Sequence, residues 1–355
     1  MNSRSTAEIT DYLNEKITKK DALELFSLPI HAVGRIADEI RKVKCGDLVT
    51  FVNDTNINYT NICLSKCRFC AFYAREKGYV LSHEEILRKV GYAVKMGATQ
   101  IMLQGGMNPD LGLEWFEELF RKIKARFSSV HIHSLSPPEI VFLAKLERSS
   151  IREVLDRLKA AGLDSLPGGG AEILVDSVRR KISPNKCSSD EWLRVMETAH
   201  SLNMPTTATM MFGHVESDGD IVEHLIKIRE LQEKTGGFTA FIPWTFQPGN
   251  TELYAEIKRP VSPLRYLQVL AISRIVLNNF RNIQASWLTQ GFEIATLSLF
   301  FGANDFGGTM LEENVVRATG KDFRPAKIEE IVKAVKAVGR PVALRDTYYN
   351  ILEWF

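Results

Sequence analysis

Short apolar runs of β-strand character alternate along the chain with segments whose apolar residues recur every three or four positions. That is the pattern of a parallel sheet covered by helices. Candidate strands lie at 48–56, 100–103, 130–135, 164–166, 206–212, 238–246, 282–287 and 296–301, eight in all. Between the second and third, Leu113, Phe116, Phe120, Ile123 and Phe127 fall at intervals of three and four and mark the buried face of a helix. Ser82 with Glu85 reads as a capping box, in which each side chain serves an orphan backbone amide, and it starts a helix at His83 that ends near Gly97. Ser150 with Glu153, and Ser188 with Glu191, repeat that start signal. Eight such alternations fit an α/β architecture of the (β/α)8 TIM-barrel type, where catalytic groups gather on the loops leaving the C-terminal strand ends.

No linker rich in Pro, Gly or Ser divides the chain, so a single domain is expected. Residues 1–45 read as an N-terminal helical extension, 46–325 as the barrel, and 326–355 as C-terminal helices over 327–338 and 346–355. The 355 residues are 45 % hydrophobic, enough for a substantial core. The 45 basic and 43 acidic residues are well mixed, and their net charge of +2 sets up no field that draws in nucleic acid or a membrane surface. The first residues, Met1 to Ser5, lack the apolar core of a signal peptide, and no uninterrupted apolar run reaches ~18 residues. A cytoplasmic enzyme is the expectation.

Composition changes the picture at one point. Of five cysteines, Cys63, Cys67 and Cys70 share one eight-residue run, just after the first predicted strand. Clustered thiols are no disulfide framework, and thiolate ligands need a reducing compartment. A structural zinc would take a fourth ligand from the distant Cys45 or Cys187 or from a histidine, and an electron-transfer ferredoxin site would also take a fourth cysteine. Three thiolates alone suit a [4Fe–4S] cluster with one iron left open to a ligand. Lys66 and Arg68 interleave the thiols and are expected to favour their deprotonated form.

Other polar groups leave the later strands. Gln104-Gly105-Gly106 follows the second, as an ordinary turn or as a backbone open to a ligand's polar end. Gly168-Gly169-Gly170-Ala171-Glu172 follows the fourth, a close backbone approach ending in a carboxylate; no Gly-Lys-Ser/Thr makes it a phosphate loop. Met211 to Glu216 offers a wall for an adenine ring, with His214 either part of it or a satisfied structural histidine. His131 and His133 alternate with Val130 and Ile132 and so share a face of the third strand, followed by Ser134 and Ser136; no third ligand marks them as a metal site. The stretches 244–251 and 302–309, with Gln284 and Ser286, are rich in groups that bind hydroxyls, and they make Trp244, Gln247, Asn250, Asn304 and Thr309 candidate substrate contacts.

The CxxxCxxC run, with Phe69 just before its last cysteine, the Gly-Gly turn and the Glu of the fourth loop together resemble the radical S-adenosylmethionine (radical SAM) superfamily. Within it, Asn58 to Asn61, Cys70 to Tyr73, Gln104 to Asp110, His131 to Glu139, 168–172, 246–251 and 302–309 resemble the dehypoxanthine futalosine cyclase family of the futalosine route to menaquinone. The resemblance implies that Cys63, Cys67 and Cys70 hold the cluster, and that the cofactor S-adenosylmethionine meets Phe69, Tyr73, Gln104, Gly105, Gly106, Ser134, Glu172 and Met211. It implies a 5′-deoxyadenosyl radical that takes hydrogen from C4′ of a nucleoside ribose. The carbon radical then adds to the attached benzoate ring, and one electron and one proton are lost. Asp305 or His133 is the expected base for that proton. A low-potential flavodoxin or ferredoxin would supply the electron, and a homodimer is compatible with the chain. The sister aminofutalosine synthases and the deazaflavin-ring synthases share the cofactor residues. A zinc-stabilised binding protein is the alternative from another class.

Overall fold

The computed structural model describes residues 16–355. Its helices and strands, in chain order, begin with α1 (Lys19–Glu24), α2 (Ile30–Cys45), β1 (Val49–Val52), β2 (Asp54–Ile57), α3 (His83–Lys95), β3 (Gln100–Leu103), α4 (Leu113–Arg126) and β4 (His131–Ser134). They continue with α5 (Pro137–Leu146), α6 (Ile151–Ala161), α7 (Asp176–Ile182), α8 (Ser189–Ser201), β5 (Thr206–Phe212), α9 (Asp218–Thr235), β6 (Phe238–Thr245) and α10 (Pro263–Val276). The last are β7 (Asn282–Ile283), α11 (Trp287–Gln290), α12 (Phe292–Ser298), β8 (Asp305–Gly308), α13 (Ile328–Ala337), β9 (Val342–Arg345) and β10 (Ile351–Trp354).

Parallel pairing runs β2–β3–β4, then β5–β6–β7, and β1 meets β8. Single bridges close the gaps: His133 to Ser165, Leu166 to Thr206, and Gln284 to Asp305. The predicted fourth strand is therefore only Ser165 and Leu166, but it completes the barrel expected from the sequence. The first predicted strand is broken into β1 and β2 at Asn53, whose Nδ2 donates to Met96 O at 2.9 Å and whose Oδ1 accepts from Thr309 Oγ1 at 2.7 Å.

The three expected capping boxes form, and α4 buries Leu113, Phe116, Phe120 and Ile123 as its periodicity requires. Two expectations fail. The run 296–301 is not the eighth strand: Ala295, Ser298 and Leu299 are buried while Leu297 and Phe300 are exposed, a helical period that overrides the local apolar run. The eighth strand is Asp305–Gly308, inside the stretch expected to be a loop beyond it. Nor is 346–355 helical. After α13, β9 adds to β1 in parallel and offers a free edge, which β10 takes up antiparallel through a turn where Asp346 accepts from the Asn350 N–H. Among the described residues, no helix is long and apolar enough to cross a membrane.

Candidate active site

The barrel encloses a cavity of about 250 Å³. Strand side chains alternate between core and lumen, and the polar lumen faces supply Asp54, Asn56, Gln100, Gln104, His133 and Gln284 to its wall. Trp244 near the end of β6, and Ser286 and Glu313 from the loops beyond the strands, also line it, as do Arg345, Thr347 and Tyr349 from the C-terminal hairpin.

The cysteine loop leaves β2 and is pinned at several points. Leu64 N–H donates to Met107 O at 3.0 Å, Met107 N–H points at Cys63 Sγ at 3.4 Å, and Arg68 N–H donates to Ile182 O at 2.8 Å. Gly106 is needed for that approach: a Cβ there would lie 2.1 Å from the carbonyl oxygen of Ile62. At Gly105 a Cβ would lie 2.6 Å from the Tyr59 ring. Behind this turn Glu139 accepts from Tyr59 Oη at 2.5 Å, from the Gly105 N–H at 3.3 Å, and from Ser136 Oγ. Burial nevertheless raises the Glu139 pKa to about 7.

Arg68, expected to serve the thiols, instead pairs with Glu256. The cation that faces them is Lys186, which the sequence reading missed; nothing local in Ser183-Pro184-Asn185-Lys186 announces it. Burial works against its charge, but Cys67 and Glu172 outweigh that and its pKa is raised. Lys186 Nζ sits 2.9 Å from Glu172 Oε1 and 5.0 Å from the centre of the Phe69 ring. Burial pushes the Cys67 thiol up to about 12, with Lys186 pulling the other way. Cys45 closes α2 at the opposite end of the barrel, its Sγ on Arg281 O.

The remaining expected site residues divide. Gln104, His133, Trp244, Gln284 and Ser286 line the cavity. Others are held elsewhere. Ser134 Oγ donates to Leu103 O, Tyr73 Oη to Glu252, and Gln247 Nε2 to Thr245. Asn250 is exposed and shapes a turn with Ala318, Asn304 braces Arg274 and Asn282, and Thr309 bonds Asn53. Met211 is buried, its N–H on Glu172 O. His214 is a structural brace on Met211 O and Glu216.

Asp305 is off the cavity wall. Its Oδ2 accepts from Arg345 Nε and Thr50 Oγ1, both at 2.6 Å, and its Oδ1 from Arg345 Nη2 at 3.1 Å and the Gly307 N–H at 2.9 Å. A carboxylate has about four acceptor positions, and here all are filled. His133 is the opposite case: its Nδ1 meets Ser165 Oγ at 2.6 Å, while no partner among the described residues reaches its Nε2. Burial, then His131 and Arg345, holds its pKa well below the usual value, so it is a neutral imidazole. Asp54, also on the wall, was overlooked; the alternation of polar Asp54, Asn56 and Asn58 through a buried strand was the signal that marked a polar lumen.

A closed parallel barrel with a three-cysteine loop after its first strand defines a radical SAM enzyme, and the comparisons agree: residues 57–228 match the radical SAM superfamily and 235–355 the CofH/MqnC C-terminal region. The chain is 43 % identical to the cyclic dehypoxanthine futalosine synthase of Streptomyces coelicolor, covering 95 % of this chain and 86 % of that one. It is 42 % identical to 5-amino-6-(D-ribitylamino)uracil–L-tyrosine 4-hydroxyphenyl transferase 1 of Methanosarcina barkeri, covering 99 % and 95 %. Among solved structures, methylornithine synthase (PylB) shares the fold at a TM-score of 0.71 and 20 % identity, covering 94 % of this chain and 96 % of that one. The chain belongs to the CofH/MqnC family of radical SAM enzymes.

That superfamily implies a [4Fe–4S] cluster and S-adenosylmethionine. The residues present fit them. The thiols lie on one pinned loop, which can pack against Gly106 only because that residue lacks a Cβ. Among the described residues no three His, Cys, Asp or Glu side chains converge on a single ion. A cubic cluster does not ask for that, since each thiolate meets a different iron.

Proposed function

We propose that the enzyme closes dehypoxanthine futalosine to its cyclic form, a step of menaquinone formation, in the cytoplasm. Cys63, Cys67 and Cys70 would hold the cluster. Bound there with S-adenosylmethionine and reduced by a flavodoxin- or ferredoxin-type donor, it supplies the 5′-deoxyadenosyl radical. The chain's own residues do the rest. Gly105 and Gly106 present backbone to the methionine end, and Phe69 and Gln104 border it. Glu172, already bridged to Lys186, orients a polar group of the cofactor. The cavity holds ribose and benzoate close enough to react and keeps water out, with Trp244 as an apolar wall and Gln284 and Ser286 as hydrogen-bonding groups. His133 takes the ring proton.

The observation that carries this reading is the barrel cavity lined by one neutral histidine whose Nε2 has no partner among the described residues, because ring closure must end in loss of a proton and Asp305 has no acceptor position left for it. A second reading, transfer of a 4-hydroxyphenyl group from tyrosine, is favoured by the near-equal identity to the archaeal transferases.

The test is anaerobic reconstitution with iron and sulfide, reduction, and incubation with S-adenosylmethionine and either substrate set, with mass spectrometry of the products. 5′-Deoxyadenosine with a nucleoside two hydrogens lighter than dehypoxanthine futalosine is the expected result. 5′-Deoxyadenosine formed only with tyrosine and the ribitylaminouracil would overturn the cyclase reading in favour of the transferase.

A further inference from the structure

We infer that Ser165 and His131 form, with His133, a proton relay leading from the barrel cavity to the N-terminal end of the barrel. The inference rests on the cyclase reading for the source of the proton and on geometry for the path.

Ser165 Oγ lies 2.6 Å from His133 Nδ1 and 2.6 Å from His131 Nε2. A hydroxyl has one hydrogen, so it accepts from one ring and donates to the other. The three groups therefore share one polarity, and reversing it needs no atom to move except hydrogens. The bridge between β4 and Ser165 enforces this alignment. His131 and His133, two residues apart, face the same way, and Ser165 stands opposite both.

Both ends of the chain of groups are open. His133 Nε2 faces the cavity that its ring lines. His131 is partly exposed, its ring edge-on to the exposed Tyr348 at 5.0 Å, and its Nδ1 has no hydrogen-bond partner among the described residues. The unmet groups lie at the two ends, one toward substrate and one toward solvent.

In the step itself, His133 Nε2 gains the proton leaving the substrate ring while its Nδ1 hydrogen passes to Ser165 Oγ. The serine's own hydrogen passes to His131 Nε2, and the His131 Nδ1 hydrogen leaves to water. One proton enters and one departs. The companion electron goes to a one-electron acceptor of the iron–sulfur class and not through these residues. Rotation of the hydroxyl and tautomer exchange of the rings restore the starting polarity. The charges that bias the path are Arg345 and the His131 ring beside His133, and Asp164, Lys124 and Asp346 around His131. Lys124 is itself paired to Asp164 at 2.6 Å.

The experiment compares reconstituted wild-type enzyme with S165A, S165T and H131F. It measures product, 5′-deoxyadenosine and their ratio across pH and in heavy water, and it follows 15N-histidine tautomers by NMR without the cluster. In S165A and H131F, product formation is expected to fall about 10²-fold, the scale of a lost proton-transfer group. 5′-Deoxyadenosine should continue to form, so its ratio to product rises. S165T, which keeps the hydroxyl, should restore both. In wild type, protonation of His131 should reverse the Ser165 hydroxyl and switch the His133 tautomer in the same pH step, and S165A should separate the two events. Variants that lower both products in equal proportion, or histidines that titrate independently in wild type, would overturn the relay. If wild type releases 5′-deoxyadenosine without ring closure, the substrate reading fails, and the NMR coupling alone decides the relay.

Discussion

At the mouth of the barrel the cysteine thiols have few hydrogen-bond partners, whereas at its floor the carboxylate of Asp305 is fully paired. Cys63 and Cys70 remain partly exposed, and the nearest donor to Cys63 Sγ is a backbone N–H at 3.4 Å. Asp305, by contrast, has every acceptor position filled, and Arg345 lies with its guanidinium 3.9 Å from the centre of the Tyr349 ring. The difference separates thiols with few partners from a carboxylate whose every acceptor position is committed within the fold. It also explains why two buried residues that look alike as candidate bases, Asp305 and His133, differ in what they can do once their partners are known.

Cys67→Ala puts the mouth to the most severe test. Iron and sulfide bound per chain should fall to background and product should vanish, while the far-ultraviolet dichroism is unchanged. Iron bound at the wild-type level would remove Cys67 from the ligand set.

Arg345→Met attacks the other end. It leaves Asp305 buried without its cation, which costs about 3–5 kcal/mol for a buried pair broken on one side. Denaturant unfolding should register that loss while the protein still takes up a full complement of iron. A loss below about 1 kcal/mol would mean that the floor does not depend on this pair.

The mouth was the more legible end. Three cysteines, a Gly-Gly turn and the capping boxes are local patterns, readable because each is complete within a few residues. The floor is assembled from Thr50, Asp305 and Arg345, which come together only when β8 and β9 flank β1. Its strands are short, and Asp305-Phe306-Gly307-Gly308 carries no apolar alternation. Gly308 is there for contact: a Cβ would lie 2.1 Å from Asp54 Oδ1. The same limit hid Lys186 and Ser165, whose partners are 14 and 32 residues away for Glu172 and His133.

Asp54 lies between the two regimes and shows where one gives way to the other. It borders the cavity as His133 does, yet it is within reach of the Arg345 charge that Asp305 has taken. Burial raises its pKa from 3.8 to about 6, against the Met310 N–H and Arg345. A carboxyl with a raised folded-state pKa binds more protons in the native than in the unfolded state, so stability falls as pH climbs from about 4 through about 6. Asp54→Asn removes this titration and leaves the histidines and other carboxyls as they are. The stability of wild type relative to D54N should therefore decline by roughly 3 kcal/mol between about pH 3 and about pH 7, the free-energy equivalent of that rise in pKa, and then level off. Paired urea melts at several pH values measure it. A difference that rises over this range would mean that Asp54 shares the Arg345 ion pair and belongs with the floor.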